Sequence, residues 1–501
     1  MMPMEQSSTI RINPADTVVV CLHPMHQGEI IEVDHQQITL LEDVPVGHKV
    51  LIRDTKKGED IIKYGYPIGH ACQELKAGQW VNEHNLTTNL SGKLTYEYHP
   101  VTFNSKPLPD HRTFNGYVRK NGEVGIRNEI WIVPTVGCVN GVAEKLARQL
   151  EKETQLKGID AVYAWHHNYG CSQLGDDHEN ARKILRDIVL HPNAGAVLIV
   201  SLGCENNQPD AFMELLGDYN QERIKLLVTQ QVEGDEVETG MEILRELYQK
   251  AKNDKRQPCS INELRVGLKC GGSDGLSGIT ANPLVGCFSD YLVGQGGTSV
   301  LTEVPEMFGA ETILMNRCEN QELFQQTVSL VNDFKDYYLS HGEPVGENPS
   351  PGNKAGGIST LEEKALGCTQ KCGSMPVSGV LGYGERLKNK GLNLLSAPGN
   401  DLVASTALAA TGCQMVLFTT GRGTPFGTFI PTMKISTNSE LYQKKSKWID
   451  FNAGALIEGT SMDALLNAFI DKIIAIANGE RTHNEENDYR EIAIFKNGVT
   501  L

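Results

Sequence analysis

Three cysteines in the middle of the chain, Cys138, Cys171 and Cys204, each follow a glycine and are spaced 33 residues apart. Each comes directly after an apolar segment that we predict to be a parallel strand. Because the carboxyl ends of parallel strands meet at one sheet edge, the thiols are expected to converge there. Three thiolates with one position left open suit an iron–sulfur cluster or a single soft metal ion. The alternative is that each cysteine only fills space as a small buried apolar residue.

Histidines and glutamates are the candidates for proton transfer. His166 and His167 follow the second of these strands, and His84 closes the N-terminal part of the chain in a run of polar residues. A histidine at such a place can act as a base near neutral pH, or can simply be solvated or hydrogen-bonded. Glu303 and Glu306 follow a later strand and can hold a metal or move a proton, although surface glutamates are common.

Several glycine-rich segments predict anion binding. Ser273 and Asp274 lie in a glycine-rich loop after Cys270, a reserve metal ligand, but the loop lacks the Gly-Lys-Ser/Thr ending of a P-loop. Arg422 stands between two glycines after a strand, where it suits a bidentate carboxylate clamp. Lys354 belongs to a long glycine-rich stretch, and either binds an acidic substrate or is solvated.

The elements that must position these residues divide the chain into several units. The 501 residues exceed the size of one core. Residues 1–95 read as short β segments between turns, and 96–113 as a polar, proline-containing linker. Residues 114–256 alternate strands and helices and carry the three strand-end cysteines; 257–501 continue in the same style. This pattern predicts a small all-β module followed by two α/β regions with mostly parallel sheets.

One stretch of the last region, residues 343–373, is rich in glycine and proline and is expected to be a long loop. Loops of that length are usually functional or disordered.

Composition limits the functional classes. The formal net charge of −16 repels phosphate backbones, so we expect no nucleic-acid partner. The N-terminus lacks the pattern of a secretory signal, and the longest apolar stretch is too short for a membrane span. Twelve cysteines without an export signal predict reduced thiols and a cytoplasmic protein.

Six motifs stand in order along the chain: residues 134–141 (PTVGCVNG), 169–171 (YGC), 203–205 (GCE), 270–274 (CGGSD), 348–354 (NPSPGNK) and 419–425 (TTGRGTP). Together they resemble the altronate dehydratase family, to which galactarate dehydratase is related. The resemblance runs essentially end to end and includes an SAF-like N-terminal module. It implies a lyase of hexuronate catabolism that depends on Fe(2+), or is supported by Mn(2+), and converts D-altronate to 2-dehydro-3-deoxy-D-gluconate and water.

Dehydration of a 2,3-dihydroxy acid needs a base for the C2 proton, an acid for the C3 hydroxyl, and charge stabilisation that a metal can supply. We expect metal on Cys138, Cys171 and Cys204, and acid–base chemistry from His84, His166, His167 or Glu303. The residues expected to hold the small sugar-acid substrate are Arg127, Asn128, Ser273, Asp274, Lys354 and Arg422.

A homodimer is expected. The alternatives are a dehydratase of another aldonic or aldaric acid such as galactarate, a zinc hydrolase or oxidoreductase, and a sugar-acid binding protein without catalysis.

Overall fold

The computed structural model describes residues 8–103 and 112–501. The described part of the N-terminal module, residues 8–103, contains strands and no helix. Its short antiparallel strands form three small sheets, ordered β1-β2-β5-β8, β3-β4 and β6-β7-β9. The strands are β1 (Thr9–Ile10), β2 (Val18–Cys21), β3 (Ile30–Val33), β4 (Gln36–Thr39), β5 (Lys49–Leu51), β6 (Asp60–Lys63), β7 (Tyr66–Ala71), β8 (Trp80–Val81) and β9 (Leu86–Thr87).

The first α/β region contains a four-stranded parallel sheet in the order β13-β12-β14-β15. A separate antiparallel sheet, β11-β10-β16, joins its beginning to the next region. The elements are β10 (Thr113–Val118), β11 (Val124–Gly125), β12 (Glu129–Pro134), α1 (Asn140–Thr154), β13 (Val162–Ala164), α2 (Gly175–Val189), β14 (Ala194–Ser201), α3 (Pro209–Leu215), β15 (Ile224–Val228), α4 (Glu236–Ala251) and β16 (Gln257–Ser260).

The second α/β region contains a seven-stranded parallel sheet in the order β19-β20-β18-β17-β21-β22-β23. Strand β17 lies at the centre, with later strands added first on one side and then on the other. The elements are β17 (Arg265–Cys270), α5 (Ala281–Gly294), β18 (Thr298–Leu301), α6 (Glu311–Met315), α7 (Gln321–Ser340), α8 (Pro351–Ala355), α9 (Leu361–Thr369), β19 (Val377–Leu381), β20 (Gly391–Leu395), α10 (Asp401–Ala410), β21 (Met415–Thr420), β22 (Thr432–Ser436), α11 (Ser439–Lys444), β23 (Phe451–Asn452), α12 (Met462–Ala477) and α13 (His483–Glu486).

The predicted fold class, a β module followed by two α/β regions with parallel sheets, is confirmed. The prediction of a long loop at residues 343–373 is wrong, because helices α8 and α9 lie within this segment. Ser350 and Thr360 cap these helices through their side chains. Every residue of α9 is buried, including its charged residues, so the helix has no solvent-exposed face and its sequence shows no amphipathic period. The linker predicted at 96–113 includes residues 104–111, which lie outside the described residues.

Apolar contacts join the units. One cluster of buried side chains places Leu51 and Ile61 of the β module against Ala365 and Leu366 of α9. Another spans both α/β regions and includes Trp131 of β12. Within the described ranges, no helix combines the length and apolar character that crossing a membrane requires.

Candidate active site between the β module and the seven-stranded sheet

The order in which strands are added to the seven-stranded sheet reverses between β17 and β21, which makes this place a topological switch point. Strand β17 is followed by β18 on one side, whereas β21 returns to pair with β17 on its other side. In open α/β sheets, ligands bind outside the carboxyl ends of the strands at such a switch point. The loop after β17 carries Ser273 and Asp274, and the loop after β21 carries Arg422.

A cleft of about 670 Å³ opens at this place, between the β module and the strand-end loops. Its walls include His48 of the β module and, from the C-terminal region, Asp274, Arg422 and Asn438. The exposed Arg422 presents a guanidinium to the cleft, and a bidentate donor of this kind matches a carboxylate. The cleft is therefore of a size and polarity that suit a small organic acid.

Asp274 is held firmly at the inner end of the cleft. Its carboxylate accepts hydrogen bonds from Thr437 Oγ1 (2.9 Å) and Ser277 Oγ (3.0 Å), and from the backbone N–H of Leu276 (3.2 Å). Burial raises the pKa of Asp274 in spite of these donors. A carboxyl group shifted toward neutrality and fixed in a cleft is suited to proton transfer.

A small cavity of about 10 Å³ continues inward from Asp274. Ser273, Tyr64 of the β module, and Lys364 and Cys368 of α9 also line it. Ser273 is buried, and its hydroxyl has no hydrogen-bond partner within the described residues. Buried polar groups are normally paired, so this hydroxyl is available to a ligand or a water molecule.

Two thiols and a carboxylate meet behind this cavity. Cys270 Sγ lies 3.3 Å from Cys368 Sγ, and Glu306 Oε2 lies 3.0 Å from the first sulfur and 3.1 Å from the second. All three side chains are buried. Among the described residues, this is the one group of three potential metal ligands whose ligand atoms all lie within 4.8 Å of one another.

Lysines and carboxylates surround the trio. Lys371 Nζ lies 2.8 Å from Cys270 Sγ and 3.3 Å from Glu303 Oε2. Lys364 Nζ pairs with Glu306 at 2.8 Å. Lys269 contacts both Glu303 and Asp401, the latter at 2.7 Å, so three ammonium groups face three carboxylates.

The two glutamates of this cluster have pKa shifts of opposite sign. Burial and the neighbouring Glu306 raise the pKa of Glu303. Burial would also raise the pKa of Glu306, but nearby lysines hold it well below its ordinary range. Hydrogen bonding to Cys270 and burial raise the pKa of Cys368. The formal charges of the three lysines and the three carboxylates cancel, so the cluster is formally neutral. It stays neutral if a divalent cation replaces the two thiol protons.

A buried ion triad attaches the β module to α9. Glu363 Oε2 lies 2.8 Å from Lys49 Nζ, and Glu363 Oε1 lies 2.8 Å from Lys63 Nζ. The three side chains are 0–1% exposed. Burial would raise the pKa of Glu363, but the two lysines lower it to about 2. Because α9 also carries Lys364 and Cys368, this triad sets the position of the module relative to the site.

The strand-end cysteines of the first α/β region lie at the predicted edge. Strands β13, β12 and β14 are adjacent, and their carboxyl ends lead to Cys171, Cys138 and Cys204 respectively. The three thiols are exposed, and their sulfur atoms do not all lie within 4.8 Å of one another. Around one tetrahedral ion, thiolate sulfurs would lie ~3.8 Å apart, so the single-ion arrangement is not formed here. The metal role predicted for these residues stays a prediction.

None of the three predicted catalytic histidines lines the cleft. His84 is exposed on the β module, and the exposed His166 pairs with Glu144 at 3.2 Å. His167 is buried, its Nε2 lies 2.7 Å from the carbonyl of Pro134, and its Nδ1 accepts from the N–H of residue 169. Burial lowers the pKa of His167 to about 4, which keeps the ring neutral. The catalytic role predicted for the three histidines remains a prediction, and none of them reaches the cleft.

Three of the predicted substrate-binding residues lie away from the cleft lining. Arg127 is buried in a bidentate pair with Glu485, at 2.7 and 2.9 Å. The side chain of Asn128 is buried and donates to the carbonyl of Ala251 at 2.8 Å. Lys354 is half-buried in α8, next to lining residues of the cleft. The structure does bring Ser273, Asp274 and Arg422 together.

Sequence reasoning missed several residues of the cluster. Cys368 and Lys364 lie on a helix that was expected to be a loop, and Lys269 lies inside strand β17. His48 was also missed; its ring lies between Trp80 Nε1 (3.1 Å) and the carbonyl of Ala355 (3.3 Å). A lysine within an otherwise apolar strand such as β17 was the available signal, since lysine is almost never buried unless it is paired.

Comparison with known proteins gives matches along the whole chain. Three family descriptions match successive segments: the altronate/galactarate dehydratase SAF domain at residues 7–89, the D-galactarate dehydratase/altronate hydrolase second domain at 116–252, and the D-galactarate/altronate dehydratase C-terminal domain at 261–500.

Full-length relatives agree. Altronate dehydratase of Escherichia coli (strain K12) is 57% identical over 493 residues, covering 98% of this chain and 99% of the relative. Altronate dehydratase of Bacillus subtilis (strain 168) is 55% identical over 497 residues, covering 99% and 100%. Galactarate dehydratase (L-threo-forming) of E. coli is 34% identical over 441 residues, covering 84% and 83%. The chain belongs to the D-galactarate/altronate dehydratase family.

Proposed function

We propose that this protein is a hydro-lyase that converts D-altronate to 2-dehydro-3-deoxy-D-gluconate and water. The supporting observation is a carboxylate-binding cleft at the switch point of the seven-stranded sheet, backed by a buried cluster of thiols, carboxylates and lysines. The altronate dehydratases of two bacteria, each above 50% identity and aligned over nearly their whole length, support altronate as the substrate.

Arg422 and Asp274 are the residues that we assign to the substrate. Arg422 binds the C1 carboxylate through two parallel hydrogen bonds, which orients the acid in the cleft. Asp274, held by its donors at the inner end, removes the proton from C2. The charge of Lys364 and the free hydroxyl of Ser273 stabilise the negative charge that develops on the C3 hydroxyl as it leaves. The departing hydroxide takes up the proton that Asp274 removed from C2, which gives water and returns Asp274 to its carboxylate form. The enol that remains ketonises to the 2-keto acid.

The trio of Cys270, Glu306 and Cys368 fits a single divalent iron. Two thiolates and one carboxylate form a donor set that iron accepts, whereas manganese prefers oxygen ligands. The charge of the cluster supports this fit, because a divalent cation in exchange for two thiol protons leaves the cluster neutral. A bound metal would supply Lewis acidity toward the hydroxyl and carboxylate oxygens of the substrate.

We further propose that the protein acts in the cytoplasm and as a homodimer. Its twelve cysteines are all free thiols, which suit a reducing compartment. Sedimentation equilibrium of the purified chain, with a mass near twice 55.0 kDa, would support the dimer.

The test is turnover of a substrate panel by the anaerobically purified, iron-loaded protein. D-Altronate should give one equivalent of a 2-keto-3-deoxy acid, and galactarate should react at least ~100-fold more slowly in kcat/KM, a discrimination of about 2.7 kcal/mol. Faster turnover of galactarate would assign the protein to the other branch of the family. Stoichiometric binding of D-altronate without turnover would support a binding protein instead.

A further inference from the structure

Three of the twelve cysteines are exposed, and they are Cys138, Cys171 and Cys204. The other nine are buried or half-buried. Free cysteine is among the residue types most often buried, and its reactivity usually decides where it is exposed. Exposure confined to three adjacent strand ends does not fit a packing role, and it leaves the thiols accessible to a ligand.

The loops that carry these thiols are fastened to one another by backbone groups. The N–H of Gly137 donates to the carbonyl of Tyr169 at 2.9 Å, which joins the first loop to the second. The N–H of Asn207 donates to the carbonyl of Gly170 at 3.0 Å, which joins the third loop to the second. These bonds fix the separation of the thiol-bearing loops before any ligand arrives, as a preorganised site requires.

At two of the three cysteines, the preceding glycine lies where a neighbouring thiol-bearing loop approaches the backbone closely. A Cβ atom at residue 137 would lie 2.8 Å from the carbonyl oxygen of His167, and one at residue 170 would lie 2.1 Å from that of Thr135. Gly170 and Gly203 also have positive φ angles, of 101° and 124°. Gly137 and Gly170 therefore allow the first two loops to approach each other closely, whereas Gly203 meets the requirement of its own backbone conformation.

The surroundings of two of the sulfurs provide partners for a bound cluster. Gln230 Nε2 lies 3.3 Å from Cys204 Sγ and donates to it. Cys138 lies just before α1, a helix of 15 residues with no acidic side chain in its first turn. A helix N-terminus and an N–H donor both present positive partial charge to an anionic ligand, and hydrogen bonds to the sulfurs are among the features that tune an iron–sulfur cluster.

We propose that Cys138, Cys171 and Cys204 bind a [4Fe–4S] cluster, with the fourth iron open to an exogenous ligand. Each thiol loses its proton and forms one sulfur–iron bond. The sulfurs are too far apart to share one ion, whereas a cluster offers each thiolate its own iron. This site is separate from the cleft at Asp274, because no residue of these loops lines that cleft.

The test uses the full chain, purified without oxygen and reconstituted with ferrous iron and sulfide. We expect about four acid-labile sulfides per chain and an electron paramagnetic resonance signal after reduction. Cys171→Ser, and the triple variant of Cys138, Cys171 and Cys204, should lose at least nine-tenths of both. The half-buried Cys72 provides a matched control, and Cys72→Ser should retain both signals. Thermal unfolding verifies that each variant is folded.

Absence of sulfide after reconstitution would overturn the proposal, as would a metal bound without sulfide or full sulfide in the triple variant. Equal loss of sulfide in Cys72→Ser would also overturn it. Cys270→Ser, in the other cluster, should leave the sulfide unchanged. Since these measurements do not involve turnover, their failure is distinguishable from failure of the proposed dehydratase activity.

Discussion

Replacing Glu363 by glutamine should loosen the β module from the C-terminal region. The substitution keeps the shape of the side chain but removes the single negative charge between Lys49 and Lys63. Both lysines are at most 1% exposed, so water cannot take over the role of the carboxylate. Two buried ammonium groups would then face each other without a counter-charge.

The expected loss is about 3–5 kcal/mol of unfolding free energy, the usual effect of removing one member of a buried ion group. The pKa shift of Glu363 corresponds to a free energy of similar size. Its fall from 4.5 to about 2 corresponds to about 3 kcal/mol. Since this pKa is lowered in the folded state, the contribution is fully present above the ordinary pKa and is lost as the pH falls through about 2. The wild-type protein should therefore lose this part of its stability between about pH 4.5 and 2.

Urea titration followed by proteolysis of the β module measures the effect. Glu363→Gln should lower the midpoint for cleavage of the module. The matched comparison is the triple variant Lys49→Met, Lys63→Met, Glu363→Leu, because an apolar replacement of a whole buried ion group is often neutral or stabilising. We expect the triple variant to be at least as stable as the wild type to within ~1 kcal/mol. A glutamine variant within ~1 kcal/mol of the wild type would refute the reasoning.

Three further outcomes are expected. Arg422→Lys should raise KM for D-altronate by about tenfold or more with a smaller change in kcat, because one charge-assisted hydrogen bond of ~1.5–3 kcal/mol is lost. Unchanged steady-state kinetics would contradict the role of Arg422 in binding the substrate carboxylate. Gly275→Ala would place a Cβ 1.9 Å from the carbonyl oxygen of Gly47, so calorimetry should show a loss of about 1–3 kcal/mol in unfolding free energy. The control Gly141→Ala has open space around the new Cβ in α1 and should be neutral or stabilising. Cys270→Ser should lower the iron content by about one atom per chain, and elemental analysis showing no loss would argue against the trio as ligands.

Much of the fold followed from local patterns in the sequence. Apolar runs such as 194–200 marked buried parallel strands, and the alternation with amphipathic helices marked the α/β regions. The Gly-Cys spacing placed three thiols at one sheet edge, because parallel strands share the direction of their carboxyl ends. Asp274 and Arg422 were found for the same reason.

The buried cluster of thiols, carboxylates and lysines could not be predicted from local sequence patterns. Cys368 and Lys364 reach the site from α9, nearly 100 residues after Cys270, and every residue of that helix is buried. A helix without a solvent-exposed face shows no amphipathic period, so its position depends on contacts that are distant in sequence. The strand order that brings β21 beside β17 is likewise a tertiary property. The ion triad of Glu363 with Lys49 and Lys63 depends on docking of a module some 300 residues away.

The most direct test of the central assignment is kcat for D-altronate in Asp274→Asn, measured beside Glu440→Gln. Both residues line the same cleft, but only Asp274 lies at the sheet switch point and borders the inner cavity. With equal metal content and unchanged thermal unfolding, Asp274→Asn should lose at least ~100-fold in kcat, the usual range for removing a general base, and Glu440→Gln should stay within about twofold of the wild type. Wild-type kcat in Asp274→Asn would contradict the assignment of the active site to this cleft.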